Sequence, residues 1–370
     1  MGLKRKIVGT GERLSNFFAN DLQNHYYKYF FVSKFKNSIK GKDFDRNADY
    51  EAEAKTYWRE HTGLSVNTMW HSFYRSINGI SDVRYVPENI YYAYIEPYFN
   101  RKELSQGFDD KCYYSERFPS NASPVKFKRP ETILRNISGM FYDTDFRILS
   151  KDEAVSKLLE QEDGYVIKES ITGKGGNRII FAEPGEKKTR EEIIQIFEHY
   201  NRDYVVESLI TQCDEMAALN PSSINCIRFI TYMNSDGVHL LSANARMGGV
   251  NSRTDNFASG GITCGINENG VLKSVGYDNH YNKYEVHPNG YRFPGTQLPN
   301  YQAAVDMIKA LHTRFGHFRI ISWDIAIASD YTPVVIEFNL TPQGITQHQL
   351  NNGPLFGDLT DSVLKEVFKK

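Results

Sequence analysis

Two apolar runs near the C-terminus constrain the fold more than any other part of the 370-residue chain. Residues 318–328 (FRIISWDIAIA) and 333–340 (PVVIEFNL) are rich in β-branched and aromatic residues and read as strands joined by a tight turn at Asp330-Tyr331. If Ser329 faces Thr332, antiparallel pairing sets Asp324 directly opposite Glu337 and Ser322 opposite Asn339. Alternation then places Asp324, Glu337 and Asn339 on one face. Two opposed carboxylates repel unless a cation lies between them. Their neighbours Trp323, Ile325, Ile336 and Phe338 are apolar, so both strands are expected to be largely buried. Carboxylates with an amide oxygen form a hard donor set suited to Mg²⁺. An ordinary hairpin with a chance acidic pair is the alternative.

Upstream, VIKESITGKGGNRIIF reads as a strand ending at Lys168, a turn of Gly173, Lys174, Gly175 and Gly176, and a second strand. Glycines let backbone N–H groups approach phosphate oxygens, and lysine adds a point charge. The segment is neither a P-loop nor a dinucleotide fingerprint, because a strand and not a helix follows the turn. An unremarkable hairpin explains it equally well. Arg228 (NCIRFIT) and Arg246 (NARMGG) lie in strand-like segments, followed by the polar stretch NSRTDNFASGG. Buried arginines need anionic partners, and the guanidinium fork suits phosphate or carboxylate. A structural ion pair is the other reading for each.

Several function classes drop out. The 44 basic and 45 acidic residues give a net charge of −1, which supplies no global field for nucleic acid. The four cysteines have no zinc spacing or disulfide pattern, so a reducing, cytoplasmic setting is expected. No HExxH or GxSxG motif occurs, and no apolar run is long enough to span a bilayer. Residues 1–40 carry eight basic side chains against Glu12 and Asp21, with a helical apolar stripe from Leu14 to Phe30. Such a segment either covers a core or lies on the inner face of an anionic membrane as a peripheral contact. The rest of the first hundred residues reads helical, with a turn at Asn78-Gly79, and its many aromatics are expected to fill a core. Strand-like runs at 164–168, 177–182, 204–210, 224–233 and 238–245 alternate with helical periodicity at 189–200 and 301–314. The fold class is therefore α+β.

Taken in order, these pieces resemble the ATP-grasp superfamily over residues 106–350. The resemblance rests on Asp110-Lys111 opening a helix, Val166–Lys168 with the glycine-rich loop, Val205–Ile210 as a hinge, and the hairpin ending Ile336-Glu337-Phe338-Asn339. ARMGGVNSRTDNFASGG followed by EFNLTPQG looks like the branch with glutathione synthetase and the ribosomal-protein glutamate ligases. LNPSSINCIRFIT, HPNGYRFPG and WDIAIASDYTPVVIEFNLTPQG resemble the sugar-transfer-associated ATP-grasp proteins. The resemblance implies a helix-rich region at 1–105, a small subdomain at 106–203 and a large subdomain at 204–370, the last two clasping ATP.

It also implies roles. Lys111 and Lys168 would contact nucleotide phosphates, with Lys126 or Lys128 as alternatives to Lys111. The Gly173–Gly176 loop would close over the terminal phosphates, and Glu207 and Leu209 would meet the adenine edge. Asp214 or Glu215 would take the ribose, Asp324, Glu337 and Asn339 would hold Mg²⁺, and Arg228 and Arg246 would stabilise the transferred phosphoryl group. The implied chemistry is carboxylate–amine ligation through an acyl-phosphate, with a glycan uronic acid and an amine as substrates and glycosyltransferase machinery as a partner. A sugar kinase or a non-catalytic nucleotide-binding partner would use the same motifs.

Overall fold

The computed structural model describes residues 26–27, 29–171, 178–257 and 260–369. The expectations for the basic stripe before residue 26 and for Gly173, Lys174, Gly175 and Gly176 lie outside the described residues. The chain divides into two compact units. One is formed by the described residues up to Arg101 together with those from Gly344 onward, and the other is Lys102–Gln343.

The first unit is helical. Asn47 accepts a hydrogen bond from the Tyr50 amide at 2.9 Å to start helix Ala48–Thr62, and left-handed Gly63 ends it. Gly79 ends helix Met69–Asn78 in the same way, at the turn expected from Asn78-Gly79. The aromatic residues fill this core: Trp58, Trp70, Phe73, Tyr74, Tyr85 and Tyr91 are fully buried. The sequence reading joins residues 344–370 to the segment from 204, but in the structure they group with the N-terminal helices. Gln349 is one reason, since its side chain accepts from the Val86 amide at 2.8 Å and donates to the Val86 carbonyl at 2.9 Å. Among the described residues no helix is long and apolar enough to cross a membrane.

The second unit holds two antiparallel sheets. Sheet one contains β1 Thr132–Ile137, β2 Met140–Tyr142, β3 Ile148–Leu149, β4 Tyr165–Glu169, β5 Ile180–Ala182 and β6 Tyr204–Ser208, in the order β3-β2-β1-β6-β4-β5. Helices Lys151–Leu159 and Arg190–Tyr200 cover it, each started by a reciprocal capping box, Ser150 with Glu153 and Thr189 with Glu192. Sheet two contains β7 Cys226–Asn234, β8 Gly237–Met247, β9 Ile262–Ile266, β10 Leu272–Tyr277, β11 Lys283–Tyr284, β12 Ile320–Ile327 and β13 Pro333–Asn339. Its order is β11-β10-β9-β8-β7-β12-β13. Ile227, Phe229, Trp323 and Ile325 point from one face into a core shared with helix Tyr301–His312, so alternate residues of β7 and β12 face the other way.

The hairpin has the expected pairing for an unexpected reason. Asp324 lies opposite Glu337 and Ser322 opposite Asn339. The loop, however, has three residues, not two, because the Ala328 amide donates to Thr332 and the Tyr331 amide to Ala328. Tyr331 takes the left-handed conformation that such loops require. This shifts the register by one residue, and a bulge at Ile336 shifts it back before Glu337.

Gly164, at the entry to β4, tests how closely this framework is packed. Its φ is +75°, and a Cβ there would stand 2.5 Å from the Ala182 carbonyl oxygen and 2.8 Å from the Pro184 nitrogen. Gly164→Ala should destabilise the protein by about 1–3 kcal/mol in urea or thermal melts. Gly316→Ala, with nothing within 4 Å of its Cβ, should change stability by less than ~0.5 kcal/mol.

Candidate active site

Three neighbouring strands build a charged cluster on the face of sheet two away from the helix. Asp324 on β12 is paired with Arg228 on β7, and Arg246 lies two residues beyond Arg228's partner Asn244 on β8. Arg228 donates Nε to Oδ1 of Asp324 at 2.6 Å and Nη2 to Oδ2. Arg246 donates Nη1 to the same Oδ2 at 3.0 Å. Its Nη2 bonds the main-chain carbonyl of Asp255 at 3.2 Å and lies 3.6 Å from the Asp255 carboxylate. The Asp324 side chain is only 6% exposed. Burial alone would raise its pKa, but the charges of Arg228 and Arg246 outweigh burial and hold it at about 2.

A second pair of cations faces acids nearby. Asp110 caps the short turn Lys111–Tyr113 by accepting from the Cys112 amide at 2.9 Å, so the turn opens as the Asp-Lys motif implies. The Lys111 amide donates to the Ser170 carbonyl at the end of β4, and its Nζ lies 3.2 Å from Oε1 of Glu337. Desolvation would lower the Lys111 pKa, but the Glu337 charge prevails and raises it. Lys168, on β4, pairs with Glu207 on adjacent β6 at 2.6 Å. Glu207 is nearly inaccessible, and its carboxylate is engaged by this lysine.

The alternatives to Lys111 stand elsewhere. Lys128 pairs with Asp330 beside the hairpin turn at 2.8 Å, and Lys126 is exposed. Leu209 follows β6 and lines a cleft of about 560 Å³ together with Lys128, Glu131, Ser208 and Ser329. Asp214 and Glu215 open helix Asp214–Leu219 and both are exposed; Glu215 accepts a hydrogen bond from the Tyr331 hydroxyl at 3.0 Å. Asp255 is the member of the site that sequence reasoning did not assign. The signal was present in NSRTDNFASGG, but a loop acid carries no periodicity to mark it.

Among the described residues no group of three His, Cys, Asp or Glu side chains converges as a metal cluster. The hairpin offers two acids and one amide instead. Glu337 is 30% exposed, and Asn339 on the same strand is half-buried, so oxygen donors are available to a hard cation. Both oxygens of Asp324 are engaged by guanidinium groups, so a cation there must loosen the Arg–Asp bonds. The formal charges of Asp324, Asp255, Glu337, Arg228, Arg246 and Lys111 cancel. A divalent cation therefore fits this donor set when it arrives with a polyanion to restore the balance.

The sequence profile described as "Sugar-transfer associated ATP-grasp" matches residues 91–364. No curated protein matches the chain. Among solved structures, an L-amino acid ligase from Bacillus licheniformis aligns at 15% identity and a TM-score of 0.40, over 70% of this chain and 48% of that one. The ATP-grasp ligase PsnB, complexed with a phosphomimetic variant of its minimal precursor, Mg and ADP, aligns at 13% identity and a TM-score of 0.42. That match covers 72% of this chain and 62% of PsnB. D-cycloserine synthetase DcsG aligns at 12% identity and a TM-score of 0.39, over 71% and 72% of the two chains. The chain thus spans about half the length of the first of these proteins and less than two thirds of the second.

Asp324→Ala removes the carboxylate from two buried arginines and should destabilise the protein by about 3–5 kcal/mol at pH 7 in urea unfolding. Because the folded-state pKa of Asp324 is depressed to about 2, its contribution is complete above the usual carboxylate range and is lost as pH falls toward 2. Wild type should therefore lose stability between about pH 4 and pH 2, and Asp324→Asn should lack that component of the loss.

Proposed function

Because the chain belongs to the sugar-transfer-associated ATP-grasp family, and so has the ATP-grasp fold, we propose that it is an ATP-dependent carboxylate–amine ligase. The observation that carries this reading is the convergence of Arg228, Arg246 and Lys111 on the acids of one hairpin, where a phosphate-rich ligand and a hard cation can exchange charge with them. The carboxylate is that of a sugar or glycan, in keeping with the family's association with sugar transfer, and the setting is surface-polysaccharide assembly in the cytoplasm.

Asp324, Glu337 and Asn339 hold Mg²⁺ in this reading. The ion, when bound, neutralises phosphate charge and polarises the phosphoryl group. Lys111 and Lys168 bind the phosphates, which requires each to turn from its present acid partner. Glu207 and the Leu209 backbone meet the adenine edge, and Asp214 takes the ribose hydroxyls, since Glu215 is engaged by Tyr331. A substrate carboxylate oxygen attacks the γ-phosphorus of ATP, and the bond to the bridging oxygen breaks to release ADP. An amine then attacks the carbonyl carbon of the acyl-phosphate. The carbon–oxygen bond breaks, phosphate leaves and the nitrogen gives up a proton. Arg228 and Arg246 neutralise the anionic oxygens in both steps. Exclusion of water protects the acyl-phosphate from hydrolysis.

Product analysis tests the reading. With Mg-ATP, pooled amino acids and uronic-acid sugars, ADP and phosphate should appear in equal amounts, and hydroxylamine should trap a hydroxamate. ADP without free phosphate would contradict the ligase and indicate transfer to a hydroxyl. Glu337→Gln should keep the fold and lose turnover by about 10²-fold or more; unchanged turnover would remove Glu337 from the metal site.

A further inference from the structure

The two guanidinium groups on Asp324 are held differently. Among the described residues Arg228 bonds through its side chain to Asp324 alone, and that side chain is 29% exposed. Arg246 is held twice, by Asp324 through Nη1 and by Asp255 through Nη2, and is 10% exposed. The second carboxylate oxygen of Asp255 is buried without a hydrogen-bond partner, so this acid has capacity to spare for its arginine.

The place of Asp255 is set by close backbone contacts on both sides of it. A Cβ at Gly248 would stand 2.6 Å from the carbonyl oxygen of Thr254, and a Cβ at Gly261 would stand 2.9 Å from that of Asn256. The residues before and after Asp255 are thus seated against glycines at the end of β8 and the start of β9. Only glycine permits that approach. The arrangement fixes a carboxylate beside Arg246 from a segment that is not itself a strand.

This asymmetry decides what happens when Asp324 takes up a cation. A divalent ion competes with both guanidinium groups for the same two oxygens, and its charge repels both. Arg246 retains the adjacent Asp255 carboxylate as an ion-pair partner, whereas Arg228 feels that carboxylate only through its field and keeps no second ion pair among the described residues. We propose that Asp255 is a positioning residue that keeps Arg246 in place during this exchange and leaves Arg228 as the arginine that transfers from Asp324 to the substrate's phosphoryl oxygens. The inference rests on the nucleotide-binding reading above and assigns different roles to two arginines that the sequence motifs treat alike.

The test is the Mg²⁺ dependence of ADP binding, followed by calorimetry with ADP in EDTA and with ADP plus saturating Mg²⁺. Wild type should bind ADP more tightly with Mg²⁺. In Asp255→Asn, Arg246 keeps the main-chain carbonyl of residue 255 but has Asp324 as its one anion, so it competes harder with the ion and the Mg²⁺ enhancement should fall about tenfold while affinity in EDTA changes little. Asp255→Glu keeps the charge and should recover the enhancement to within about threefold of wild type; it carries the test by itself if the neutral variant does not fold. An unchanged enhancement in Asp255→Asn would overturn the inference. So would an equal loss with and without Mg²⁺, or a folded Asp255→Glu whose enhancement falls tenfold or more. Wild-type protein that binds no ADP under either condition would overturn the nucleotide-binding reading itself, and this inference with it.

Discussion

A carboxylate with almost no access to water, Asp324, keeps its charge because guanidinium groups from the next two strands lie against it. An unpaired charge at that depth would cost several kcal/mol, so the pairing constrains everything around it. β7, β8 and β12 must be in register for Arg228, Arg246 and Asp324 to meet. A slip of one residue in β7 would turn Arg228 into the core that Ile227 and Phe229 occupy. The apolar face of the sheet and its charged face thus depend on the same alignment.

Two lysines reach acids from different supports, Lys111 the Glu337 of β13 and Lys168 the Glu207 of its own sheet. Lys168 stands on a strand and is aimed by the pairing of β4 with β6. Lys111 stands on a single turn, which needs outside support to hold its position. Arg135 supplies it: fully buried on β1, it donates Nε to the Cys112 carbonyl at 2.7 Å and Nη2 to the Ser115 hydroxyl at 2.8 Å. A buried arginine bonded to neutral oxygens is a costly element, and here it fixes the turn that carries Lys111 to Glu337.

Much of this was legible because long elements carry a compositional or periodic signal. The runs that became β4, β7, β8, β12 and β13 read as strands from their apolar, β-branched and aromatic residues, and helices Arg190–Tyr200 and Tyr301–His312 have helical spacing. The pairing of Asp324 with Glu337 was legible too, although a three-residue loop and the bulge at Ile336 each shift the register by one and cancel. β2 and β3, with three and two residues, are too short to show any period. β9 reads ITCGI, in which glycine and cysteine hide the pattern, and β1 buries Arg135 and Asn136 where an apolar residue would be expected. Asp255 was not legible as a site residue, because its place depends on the glycines at 248 and 261, which are separated from it in sequence and close in space. The assignment of Gly173–Gly176 to phosphate binding stands on the sequence alone.

The account turns on whether the hairpin acids are a metal-nucleotide site. The most direct measurement is a crystal structure of the protein with Mg²⁺ and a non-hydrolysable ATP analogue. The account predicts Mg²⁺ bound directly by Asp324 and Glu337, at the short distances of about 2.0–2.1 Å that this ion demands, and bridged to phosphate oxygens. A metal held only by phosphates and water, with Asp324 still clasped by both arginines, would contradict it.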